Sequence, residues 1–361
     1  MIKEKISAKN YFLLLYLSSL CSVFMYLSSS SIKISQIDSA LRPLIFIVVS
    51  ILVSIPALVI VKIKADNEKN RVFVKKTNTL KAISFVYAVV YFISILKTVA
   101  RFDLFVSSEL FPNNDMVIFL VGIIVVCALL SLSGIGAISR SAVIFFILVA
   151  FSTSVVMFSL RNEISYFNFT PLFQNGVGEF IKESMLFSFQ ITELGTLIMF
   201  LPYVDGNVKK STLIWSIFSG ISFALVFFFV VGSLGSFADT QLFPTYTAVS
   251  LASFGLIKRI DALETSIWIL CVVQKLSFYF FIIQNCLCYS FRRLSKNLVI
   301  IFLIAILSVV TGVLSFNIES FEYLSSDVLT VILFVVSAII LPVLLCFYLK
   351  VAPREDVKED Y

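Results

Sequence analysis

The sequence predicts an all-α integral membrane fold of ten transmembrane helices, a five-plus-five inverted repeat with helices 1 and 6 interrupted. Three observations carry that expectation. Ten apolar stretches fill nearly the whole chain, basic residues gather in alternate joints between them, and small polar residues break the first and sixth stretches at matching depth. The 361 residues are 59% hydrophobic with 38 Phe, and the mean hydropathy is +1.02, values outside the range of water-soluble domains.

A crossing helix needs about 17–25 mainly apolar residues, each rising about 1.5 Å. The stretches that meet this are 11–27, 44–63, 82–106, 116–132, 141–160, 184–204, 212–235, 261–289, 298–316 and 328–349. They divide into a first repeat over about 6–162 and a second over about 179–350, within one membrane domain spanning 1–361; 351–361 is a short tail. Two joints, 162–178 and 236–257, are long and aromatic, as loops that carry function or cover a cavity tend to be.

Of the 28 Lys and Arg, 19 lie in the set of joints that includes the two termini and 6 in the opposite set. Lys97, Arg101 and Lys275 fall inside spans. Basic residues are retained on the cytoplasmic side, so both termini are expected there. The net charge of +6 is then a topology signal with no nucleic-acid partner implied, and any attraction to anionic lipid is secondary. The first apolar run is long and lacks a small-residue cleavage motif, which reads as a retained span. All six Cys lie in apolar stretches and the chain has no His, an arrangement that supplies neither a zinc site nor a histidine base. No cofactor and no enzymatic nucleophile–base set is expected.

The breaks single out a site. Ser18, Ser19, Cys21 and Ser22 interrupt span one; Gln190, Thr192 and Glu193 interrupt span six. Both lie about 9–12 residues into their spans, roughly 14–18 Å deep. In inverted-repeat transporter folds, paired interruptions of this kind open backbone groups to a ligand at mid-membrane. The alternative is that the hydroxyls bond back to the preceding turn and help helices pack. An ionisable group at this depth needs a partner or a wet cavity. Glu193 therefore either binds an ammonium group or a proton, or serves as a structural ion-pair partner. In related transporter folds spans one and eight can jointly hold a sodium ion, and by that likeness Lys275 either takes the ion's place as a fixed charge or snorkels to the interface. Lys97 and Arg101 share a face of span three at i,i+4, and their mutual repulsion predicts an acidic partner such as Glu193, Asp103 or Glu109. Arg259, Asp261 and Glu264 are expected to cap the outer end of span eight, positioning a loop or touching ligand.

One segment is more specific. Phe243-Pro244-Thr245-Tyr246 leads through Arg259, Asp261 and Ala262 into span eight and on to Trp268. This resembles the signature of the B subunits of bacterial spore germinant receptors, the spore permease family of the amino acid–polyamine–organocation superfamily. Weaker matches keep the family's order: Ile6-Ser7, Ser133-Gly134-Ile135-Gly136 through Arg140, and Thr192-Glu193-Leu194 through Pro202-Tyr203. The sequence departs from the family where Cys21 replaces a usual Gly, and where Gln190 and Thr192 stand near a usual Pro and Gly. Gly is the residue that most readily permits an open backbone. The resemblance implies the five-plus-five fold and a subunit that senses a small-molecule nutrient, most simply an amino acid held between the breaks. It also implies partner A and C subunits and the spore inner membrane of an endospore former. A proton- or ion-coupled amino acid transporter of the same fold is the alternative.

Overall fold

The computed structural model describes residues 4–25, 37–69, 72–74, 78–110, 117–173, 175–252, 261–291, 293–315, 324, 326–351 and 354–356. Strand β1 (Ile6–Ser7) leads into α1 (Ala8–Phe24), whose first turn is capped by the Ser7 side chain accepting from the Asn10 N–H at 3.2 Å. Next come α2 (Ile37–Lys69), β2 (Val72–Val74), α3 (Asn78–Phe105) with a π-helical extension Val106–Leu110, α4 (Val117–Leu132) and α5 (Ile135–Leu160). The second half holds α6 (Val177–Phe189), α7 (Leu197–Phe200), β3 (Val204–Asp205), α8 (Val208–Leu234), α9 (Pro244–Leu251), α10 (Asp261–Ser290) and α11 (Lys296–Ser315). The chain continues through α12 (Asp327–Phe334), a π-helical stretch Val335–Ile340, α13 (Leu341–Val351) and β4 (Arg354–Asp356). The strands are short clips: β1 runs parallel to β3, and β2 runs antiparallel to β4.

Among the described residues, seven helices are long and apolar enough to cross a membrane: Asp38–Ile63, Asn78–Leu110, Ile135–Leu160, Val208–Thr240, Asp261–Ser290, Lys296–Val313 and Asp327–Lys350. Ala8–Phe24 and Ile118–Leu132 are shorter apolar helices. Apolar side chains such as Leu52, Phe151, Ile301 and Phe347 are 59–67% exposed, the outward dressing of a protein whose solvent is lipid. The chain is a multi-pass helical membrane protein.

Helix α10 is the axis of the bundle, with 78% of its most apolar window buried. It packs on α1, α3, α4 and α5. Contacts recur between the halves in exchanged pairs: α1 lies on α8 as α6 lies on α2, while α2 with α8, α3 with α10 and α4 with α11 meet across the middle.

The sixth apolar stretch is broken as expected. Helix α6 stops at Phe189, Ile191 leaves helical geometry with φ −92° and ψ 77°, and a 3₁₀ turn Thr192–Thr196 follows before α7. Gly195 is what allows this turn to lie against the π-helical stretch. A Cβ there would stand 2.6 Å from Ser337 Cβ and 2.7 Å from the Tyr91 hydroxyl.

The first stretch is not broken. Helix α1 runs without interruption from Ala8 to Phe24, straight through Ser18–Ser22. Ser19 donates back to the carbonyls of Leu15 and Tyr16, both at 2.9 Å, and no glycine is present to release the winding. Helix 1 is therefore a continuous wall facing the gap in the sixth stretch.

Candidate functional site

The 3₁₀ turn after α6 carries Glu193 into the centre of the bundle, where its side chain is fully buried. One carboxylate oxygen, Oε1, gathers three donors. Ser18 on α1 donates to it at 2.9 Å, Tyr279 on α10 donates at 3.0 Å, and Lys275 Nζ forms an ion pair at 2.9 Å. The other oxygen, Oε2, is buried without a hydrogen-bond partner among the described residues. Lys275 also donates to Ser22 and stands over the Tyr279 ring at 5.5 Å from its centroid. Since Tyr279 spends its one phenolic proton on Glu193, Thr192 Oγ1 is the donor in the 2.8 Å contact between their hydroxyls. Ser22 and Ser18 lie one turn apart on α1, and Lys275 and Tyr279 one turn apart on α10. Two regular helices thus present four polar groups to one broken segment.

A second group adjoins the first. Lys97 on α3 donates to Gln190 Oε1 at 3.2 Å and to the Thr330 hydroxyl on α12. Arg101, one turn further along α3, donates to the same Gln190 oxygen at 3.1 Å and to the Met25 carbonyl at 3.5 Å. Among the described residues the acidic partner expected for Lys97 makes no ion pair with it within contact distance: its hydrogen bonds go to neutral oxygens, Asp327 at the start of α12 acts on it only through space, and Glu193 is engaged by Lys275. Gln190 takes the place of that acid because it ends α6 where its amide reaches both cations.

Between the two groups lies a void of about 20 Å³, walled by Ser22, Met25, Ser94, Lys97, Thr98, Arg101, Gln190, Thr192 and Lys275. It has room for a water or two and not for an amino acid. Aromatic clusters lie along α10 on either side of Lys275. Towards the end of α1, Phe105 sits 3.6 Å from Trp268, 5.2 Å from Phe243 and 5.3 Å from Tyr246, by ring centroids. Towards the start of α1, Phe200 lies 4.3 Å from Phe278 with the rings tilted at 35°, and Phe281 lies 5.4 Å from Tyr203. Beyond the latter cluster a larger hollow of about 220 Å³ is lined by residues including Met199, Pro202, Asn285 and Tyr289.

The match to known families decides what kind of protein carries this arrangement. Residues 5–319 fit the spore permease family model, described as spore germination protein. The chain belongs to the spore permease family. A comparison with curated proteins returns no match.

Within that family framework, the structure brings together most of the expected site residues. Ser18, Ser22, Gln190, Thr192, Glu193, Lys97, Arg101 and Lys275 converge. Ser19 faces away, bonded to its own helix and accepting from Trp215 Nε1 at 3.4 Å, and Cys21 is buried with its thiol 3.8 Å from Met25 Sδ. Lys275 does not snorkel; it is 4% exposed. Asp261 opens α10 and its carbonyl accepts from Thr265 at 3.0 Å, well along the helix from Lys275. Glu264 is buried in a separate small hollow among Phe24, Val156, Val230 and Val249. Arg259 lies outside the described residues. Sequence reasoning missed Tyr279, Ser94, Thr98 and Thr330. Tyr279 stands four residues after Lys275, and Ser94, Lys97, Thr98 and Arg101 form a polar stripe at helical spacing, so three of the four carried a periodic signal. Thr330 carried none.

Proposed function

We propose that this chain is the nutrient-sensing subunit of a spore germination receptor, with its ligand site at the break after α6. The single observation that carries the reading is the Glu193–Lys275 ion pair. A buried pair of charges is an expensive feature, retained in membrane interiors where a ligand, proton or ion must be handled. The exchanged helix contacts support the five-plus-five repeat, with about 6–162 and about 179–350 as its halves and α6 through Tyr203 as the interrupted span. Basic-residue asymmetry supports termini on the cytoplasmic side, and with that orientation the Phe105–Trp268 cluster is read as the outer cover of the site and the Phe200 cluster as the inner one. A small polar molecule, an amino acid being the simplest, enters past the outer cover, parts Lys97 from Gln190 and occupies the widened void. Lys275 holds the position that a coupling cation would otherwise fill, so binding proceeds without sodium. Ligand occupancy favours one packing of the broken segment over another, and the change passes to A and C subunits in the spore inner membrane.

The test is accumulation of labelled amino acids by proteoliposomes that contain the purified chain. The sensor reading expects binding without concentrative uptake. Robust accumulation by the isolated protein contradicts it and makes the chain a transporter.

A further inference from the structure

Among the described residues, the wall of the central void bears three cationic side chains, Lys97, Arg101 and Lys275, and no carboxylate. Glu193, the acid of the site, is not on that wall. Its Oε1 is already shared by Ser18, Tyr279 and Lys275, and its Oε2, without a partner among the described residues, belongs to a side chain that does not border the void. Lys97 is the informative group. It is 8% exposed, its ammonium is held by the Gln190 amide oxygen and the Thr330 hydroxyl, both neutral, and the nearby Asp327 carboxylate makes no direct bond to it. The same amide oxygen also accepts from Arg101. A buried ammonium is poorly compensated by neutral oxygens and far better by a carboxylate, which forms shorter and stronger charge-assisted bonds. The Gln190 oxygen thus stands where an anionic oxygen is the better occupant, and it borders the void.

We propose that the ligand of this site is recognised as an anion. Its carboxylate displaces Gln190 Oε1 from Lys97, and an ammonium group on the ligand is dispensable. The class of ligand is accordingly small carboxylates and acidic amino acids, ahead of neutral amides and basic amino acids. This inference rests on the ligand-site reading above and narrows it, since a zwitterion held through its ammonium by Glu193 is a different mode of recognition.

The experiment is thermal unfolding of the purified full-length chain at constant ionic strength, with succinate, L-aspartate, L-alanine, L-alaninamide and L-arginine as probes. A bound probe raises the unfolding temperature by mass action. Succinate and L-aspartate are expected to raise it most, L-alanine less, and L-alaninamide and L-arginine not at all. Lys97→Met is expected to weaken the succinate response about tenfold or more, and Lys97→Arg to keep it, as removal of one partner from a buried charge contact does. A shift with L-alaninamide or L-arginine that equals the shift with succinate overturns the inference while leaving a ligand site in place. No shift with any of the five removes the ligand site itself, and the inference with it. Should Lys97→Met fail to fold, the ranking of probes on the unaltered chain decides alone.

Discussion

Glu193 and Glu264 are both buried carboxylic side chains, 0% and 4% exposed. They differ in everything else. Glu193 has donors from two helices and a cation converging on one oxygen. Glu264, near the start of α10, faces a hollow walled mostly by apolar residues such as Phe24, Val156 and Val230 with Thr153 and Thr245 among them, and no described residue donates a hydrogen bond to it. Burial of an acid is therefore not what marks a site in this protein. The mark is convergence of groups from separate elements on a segment whose own backbone has been released from regular winding.

The contrast can be broken from either end. The largest effect is expected for Glu193→Gln, which strands the Lys275 ammonium in the membrane interior. Removal of one partner from a buried pair costs about 3–5 kcal/mol. Unfolding measurements should register that loss, and the response to nutrient should disappear while membrane insertion is retained. The double change Glu193→Gln with Lys275→Met removes both charges and should recover a good part of the stability without recovering the response. If Glu193→Gln leaves the dose–response curve unaltered, Glu193 is scaffolding. Gly195→Ala comes next. The added methyl meets Ser337 and Tyr91, and overpacking of this sort costs about 1–3 kcal/mol. Ser337→Gly in the same chain should relieve part of it, and thermal unfolding of the single and double variants checks the pairing.

Smaller still is the expected role of sodium. With Lys275 in the place of a cation, ligand-induced stabilisation should be the same in sodium and in choline buffers, and a steep sodium requirement would end that assignment. At the bottom of the scale is Glu264→Gln, which removes no hydrogen bond seen among the described residues and keeps the side chain's shape, and the nutrient response should be unaltered. A loss of response there would erase the distinction between the two acids.

The sequence made the membrane class legible because hydropathy and basic-residue placement are properties of single segments. The break after α6 was legible too, from a carboxylate and hydroxyls amid apolar residues. The equivalent cluster in α1 gave the same local signal and the opposite outcome. Ser18–Ser22 stays helical because Ser19 bonds within its own turn, whereas Thr192 and Glu193 find partners on α10 and α1 that compensate for lost helix bonds. Local composition cannot distinguish these cases; tertiary partners decide. Arg42 shows the same limit. By charge placement it belongs to an outer joint, yet it is 1% exposed on α2 and paired with Glu183 on α6. The Lys97–Thr330 contact joins residues from opposite ends of the chain and has no sequence signature at all.

The central claim is that the released segment at Gln190–Thr196 is where nutrient acts. Hydrogen exchange of the purified chain, followed residue by residue with and without a mixture of the standard amino acids, tests it most directly. The account predicts that exchange slows across Gln190–Thr196 while the amides around Glu264 keep their rates. Unchanged exchange in the released segment, together with protection elsewhere in the bundle, would contradict it.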